Sequence, residues 1–93
     1  MKYYAVLLPL LDQVKSDEAR PAHLDFLNEM KEAGHVSAFG RFTDGSGGLV
    51  IFNAENYEDC EALVKRDPYV ESGARSFEIR EWGVLWADLK KDS

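Results

Sequence analysis

An α+β domain, with a four-stranded antiparallel sheet and two helices on one sheet face, is predicted by three observations. Apolar stretches of strand length occur four times, two segments between them carry helical spacing, and their order is β-α-β-β-α-β. A glycine-rich turn joins the second and third strands into a hairpin, so each helix must cross between the other strands. Composition agrees with a folded domain: 45% of the 93 residues are hydrophobic and 30% charged, with no low-complexity run. A chain of this length forms one domain, residues 1–93, whose small core would gain from association.

The first strand, Lys2 to Leu10, has apolar residues at both parities, so it is expected to be central and covered on both faces. Asp12 to Ala19 is polar and carries no period. Pro21 suits a first helical turn, and the first helix is predicted from there to Ala33, with Gly34 as the residue that ends it. Val36 to Phe42 and Leu49 to Phe52 are the hairpin strands. The turn between them holds three glycines but no following helix or Lys-Ser pair, which excludes a phosphate loop. Asn56 caps a second helix through Lys65, with Tyr57, Cys60, Leu63 and Val64 inward, and Pro68 stops it. A final strand runs from Arg75 to about Trp86, with Phe77 and Ile79 on one parity and Trp82, Val84 and Trp86 on the other.

This is the ferredoxin-like arrangement, which leaves one sheet face bare. A second copy packed over that face as a two-fold dimer is expected, with Tyr4, Val6, Trp82, Val84 and Trp86 as its apolar surface. The formal charge of −6 argues against nucleic acid or an anionic membrane as partner; only the tail, Lys90 and Lys91, is locally basic. No segment approaches a membrane span, and the N-terminal apolar run lacks a small-residue cleavage site. The lone Cys60 excludes an internal disulfide and a cysteine metal cluster, so a cytoplasmic setting is expected and Cys60 reads as a core thiol.

The chemistry concentrates on the first helix. At about 100° per residue, Leu24, Phe26, Leu27, Met30 and Ala33 flank His23 on one face, while Asp25, Asn28, Glu29 and Glu32 fall on the other. His23 is therefore the ionisable group amid an apolar stripe, and a buried imidazole needs a partner. Chain direction supplies one: the first helix begins, and the second ends, at the same sheet edge, which brings Asp67 to the side of His23 together with Arg41, the glycine-rich tip and Ser72-Gly73-Arg75. A carboxylate beside an imidazole holds its tautomer and raises its basicity, as a general base requires. The other reading of the same residues has Asp67 capping the turn before Pro68 and His23 bonded to backbone. His35, after Gly34, lies at the opposite edge and reads as solvated.

Arg20, one turn before His23, and Gly40-Arg41 at the hairpin are candidate substrate contacts, the two arginines for an anionic ligand, and Tyr69 and Ser72 are expected to line the same pocket. Arg20-Pro21-Ala22-His23-Leu24, Ala38-Phe39-Gly40, and Asp67-Pro68-Tyr69-Val70 followed by Gly73 and Phe77-Glu78-Ile79 resemble the YciI-like, or YCII-related, proteins from about Tyr3 to Trp82. The resemblance implies a dimeric α+β barrel with a His-Asp active-site dyad at His23 and Asp67. One position departs from it: in many members a proline follows the glycine that closes the second strand, where this chain has Arg41 after Gly40.

The function expected from these residues is a cofactor-independent enzyme, without a metal, in which His23 and Asp67 move a proton on a small organic molecule, aromatic or anionic, by isomerisation or elimination. The alternative is a non-catalytic dimeric module that holds a metabolite in the same pocket. A ferredoxin-like RNA binder is disfavoured, since the strands lack the aromatic pattern and the charge has the wrong sign.

Overall fold

The computed structural model describes residues 1–89, and the chain runs β1 (Lys2–Pro9), α1 (Gln13–Glu32), β2 (Val36–Arg41), β3 (Gly47–Ala54), α2 (Tyr57–Val64), α3 (Pro68–Glu71) and β4 (Glu78–Trp82). The strands form one antiparallel sheet in the order β2-β3-β1-β4. Lys90 and Lys91, the basic tail, lie outside the described residues.

β1 is central, as its composition predicts, but the helices cover only one of its faces. Tyr4, Val6 and Leu8 point into the core with Val50 and Phe52 of β3, Phe26, Leu27 and Met30 of α1, and Cys60 and Val64 of α2. Burying each such aliphatic or aromatic side chain stabilises the fold by about 1.5–3 kcal/mol. Tyr4 and Val6 therefore do not belong to the bare face, contrary to expectation. Register sets Tyr3, opposite Asn53 and Trp82, on that face instead, with Ala5 opposite Ile51 and Arg80, and Leu7 opposite Leu49 and Glu78.

Several boundaries move: β3 extends to Gly47–Ala54, β4 begins only at Glu78, and the largest shifts are at the start of α1 and the end of β4. α1 begins at Gln13, not at Pro21, because the Asp12 carboxylate accepts the Lys15 backbone N–H at 3.1 Å and caps the helix early. The polar segment is thus the solvent-facing start of α1, in which Ser16 alone is buried. Pro21 is tolerated inside the helix on its exposed side. β4 stops at Trp82, and Gly83–Leu89 continues without strand pairing, so the final strand is shorter than predicted.

The far end of α1 closes as expected on Gly34, at φ 84°. Asn53 locks that corner to β3: its side-chain amide donates to the Gly34 carbonyl at 3.0 Å, and its backbone N–H donates to the His35 carbonyl at 2.8 Å. Asn56 caps α2 by accepting the Asp59 N–H at 2.8 Å.

Cys60 is fully buried, and that burial pushes its thiol from 9.0 up to about 11. A raised folded-state value means that any contribution of this group to stability is complete below pH 9.0 and is lost as pH climbs through about 11. At about pH 8 the native protein is expected to resist an aromatic disulfide reagent and to react only as it unfolds in denaturant. Rapid stoichiometric labelling without denaturant would contradict this placement.

Candidate functional site

α1 passes over the sheet with its buried face inward, which places His23 near mid-helix at 8% exposure. Asp67 reaches it from the junction after α2. There the chain turns through Pro68 into α3, and the Asp67 carboxylate caps that short helix by accepting the Tyr69 N–H at 2.9 Å. The same oxygen lies 2.7 Å from Nδ1 of His23. Both sequence readings of Asp67 are thus realised in one atom, which caps a turn and holds an imidazole.

At 1% exposure the Asp67 carboxylate needs its hydrogen bonds, since a buried charge without partners is strongly destabilising. A carboxylate only accepts, so Nδ1–H is the donor and the lone pair of the ring resides on Nε2. Nε2 makes no hydrogen bond among the described residues, and the ring lines a cleft of about 220 Å³. The arrangement can therefore accept a proton at Nε2 while Asp67 stabilises the imidazolium that forms.

The imidazole is also clamped from the side. The Tyr69 ring stacks on it at 3.7 Å between centroids and 18° between planes. The Arg75 guanidinium lies over Tyr69, 4.3 Å from its centroid, and is itself held by the Ser16 hydroxyl at 3.0 Å and the Leu8 carbonyl at 3.3 Å. Guanidinium, phenol ring and imidazole form one stack between the start of α1 and β1.

Arg20, Arg41 and Arg75 line the cleft with His23, and its lining contains no carboxylate. Its remaining walls include the apolar side chains of Leu24, Leu27, Phe39 and Val50. A larger hollow, about 590 Å³, lies on the bare sheet face between Tyr3, Ile51, Trp82 and the segment after β4, and it contains neither His23 nor Asp67. The smaller cleft is the chemical candidate because it holds the paired imidazole.

The sequence profile of the YCII-related domain matches residues 1–83. The chain belongs to the YCII-related domain family. A relative in Bacillus subtilis (strain 168), the uncharacterized protein YjpA, is 28% identical over 80 residues, covering 86% of this chain and 94% of that protein. Among solved structures, the 5-chloro-2-hydroxyhydroquinone dehydrochlorinase TftG from Burkholderia phenoliruptrix AC1100, in complex with 2,5-dihydroxybenzoquinone, superposes with a TM-score of 0.73 at 17% identity. That match covers 86% of this chain and 92% of TftG, and it establishes a shared fold.

Within this YCII-related domain, His23, Arg20, Gly40, Arg41 and Tyr69 all reach one cleft, with Asp67 directly behind His23. Ser72 does not line it: its hydroxyl bonds the Tyr69 carbonyl at 3.4 Å and receives the Ala74 N–H at 3.3 Å, which closes the end of α3. Its position after the Asp-Pro turn suggested a wall residue, but the helical turn of α3 directs it into capping. Arg75 is the group that sequence reasoning placed on the right edge without a role. Ser16 carried no signal, because it lay in a segment without apolar period. His35 is half-buried beyond Gly34, away from the cleft.

Among the described residues no group of three His, Cys, Asp or Glu side chains is gathered as metal ligands would be. No helix among them is long and apolar enough to cross a membrane.

Proposed function

We propose that this YCII-related chain is a cytoplasmic, cofactor-independent enzyme that transfers a proton on a small organic molecule, aromatic or anionic, in an isomerisation or an elimination. The observation that carries the reading is the buried 2.7 Å pair of His23 Nδ1 and Asp67 with its free Nε2 on a cleft of about 220 Å³. Nε2 takes a proton from an acidified C–H or O–H of the ligand. In an isomerisation the imidazolium returns that proton to a second atom. In an elimination the electron pair left behind forms the new double bond, the leaving group departs with its bonding pair, and the proton passes to solvent. The fold neighbour TftG supports the second form, since a dehydrochlorinase removes the elements of HCl from its substrate.

The test is a panel of substituted hydroquinones, 5-chloro-2-hydroxyhydroquinone included, scored for chloride release, beside cyclic ketones and lactones scored for deuterium uptake from heavy water. Turnover that depends on His23 supports the enzyme. Binding of panel compounds in the cleft with none of them turned over supports a ligand-holding module instead.

The active form in this reading is a homodimer joined through the bare sheet face. Tyr3 and Trp82, opposite each other across β1 and β4, are 40% and 41% exposed there, and Leu85 and Trp86 beyond them are 100% and 79% exposed. Sedimentation at micromolar concentration is expected to show a dimer, and Trp82→Glu to shift it to monomer by placing a charge in the apolar patch. A wild-type monomer under those conditions would remove the dimer from the proposal.

A further inference from the structure

The cleft is built to select a ligand by charge as well as by shape. Arg20 and Arg41 both line it, both are exposed, and neither guanidinium makes a hydrogen bond or ion pair among the described residues. Elsewhere on this acidic surface the exposed Arg66 and Arg80 each find a carboxylate within 4 Å, at 3.9 and 3.7 Å. Two unpaired guanidiniums on a cleft without a carboxylate, in a chain of net charge −6, concentrate positive potential where the rest of the surface repels anions. Arg75, the third guanidinium of the lining, has its terminal nitrogens bound to Leu8 and Ser16 and its Nε buried without a partner, so Arg20 and Arg41 are the guanidiniums whose whole forks are open at the exposed rim.

The interior of the cleft has a different character. Leu27 and Val50 are buried and Leu24 is half-buried, so the cleft grades from a cationic exposed rim to an apolar floor beside the imidazole. A simple inorganic anion would leave that floor without a partner. At about 220 Å³ the cleft is smaller than the ~300–1,000 Å³ of sites for drug-sized ligands, which limits the occupant to a single ring with short substituents. A planar carboxylate matches the guanidinium fork in two parallel hydrogen bonds.

We infer that the ligand of this site is a small single-ring carboxylate, its carboxylate held at the rim by Arg20 and Arg41 and its ring on the apolar floor against His23. The inference rests on the proposed function only for what His23 then does to the ring; the charge selection stands on the arginines.

The test uses an isosteric pair, benzoate and benzamide, titrated into the full chain by calorimetry or NMR. Benzoate is expected to bind at least about tenfold more tightly, and Arg20→Gln or Arg41→Gln to remove about tenfold of its affinity each while leaving benzamide unchanged. Both arginines are exposed and unpaired, so these variants keep the fold. Equal binding of the two compounds, or benzoate binding untouched in the double variant, overturns the inference. Inorganic phosphate competing as well as benzoate overturns its ring, and phenyl phosphate binding more tightly than benzoate overturns its carboxylate. His23→Gln is expected to retain benzoate binding, which separates a failure of charge selection from a failure of the proton-transfer reading.

Discussion

Turnover of the natural substrate is expected to fall about 10²–10⁴-fold in His23→Gln while the protein stays folded, because the substitution removes a base and keeps a donor. A glutamine amide can still offer an N–H to the Asp67 carboxylate, so the buried charge is not stranded, as it would be in His23→Ala. Asp67→Asn should produce a loss of similar size by another route. Its amide oxygen can still accept both the Tyr69 N–H that caps α3 and the Nδ1–H of His23, but the neutral group no longer stabilises an imidazolium. Steady-state kinetics with circular dichroism and a thermal melt on each variant check both halves. Retained kcat/KM in either variant would move the site from catalysis to binding.

Gly47→Ala is expected to destabilise the fold by about 2–5 kcal/mol, combining steric overlap with backbone strain. A Cβ there would sit 2.4 Å from the Leu8 carbonyl oxygen and 3.1 Å from the Pro9 Cα, both backbone atoms that no side-chain rotation can clear. The residue also holds φ at 149°, which L side chains rarely adopt. Gly47 pairs with Pro9 at the end of the β1–β3 ladder, next to Gly48, which lines the cleft. A shift there would disturb Arg41, which pairs with Gly48 across the hairpin. Against a total of about 5–15 kcal/mol for a small domain, the loss should appear as a large drop in the urea midpoint. A midpoint within error of wild type would show that the hairpin can relax around the methyl group.

What the sequence determined by itself was whatever depends on period and chain direction. Helical spacing set His23 among Leu24, Leu27 and Met30, and the up-and-down course of β-α-β-β-α-β brought Asp67 to the same edge, because a strand or crossover helix can only return the chain to one end or the other. Those constraints are short-range or topological. Tertiary structure alone decided which face of β1 the helices cover, since apolar residues at both parities of Lys2–Pro9 allow either; the start of α1, by contrast, is a local matter, set by the Asp12 carboxylate that caps the N–H three residues on where apolar period gives no signal. Tertiary structure also decided the stack of Arg75, Tyr69 and His23. Arg75 takes its two hydrogen-bond partners, Ser16 and Leu8, from 59 and 67 positions away, and no local spacing encodes an interaction whose geometry exists only once the sheet and α1 have packed.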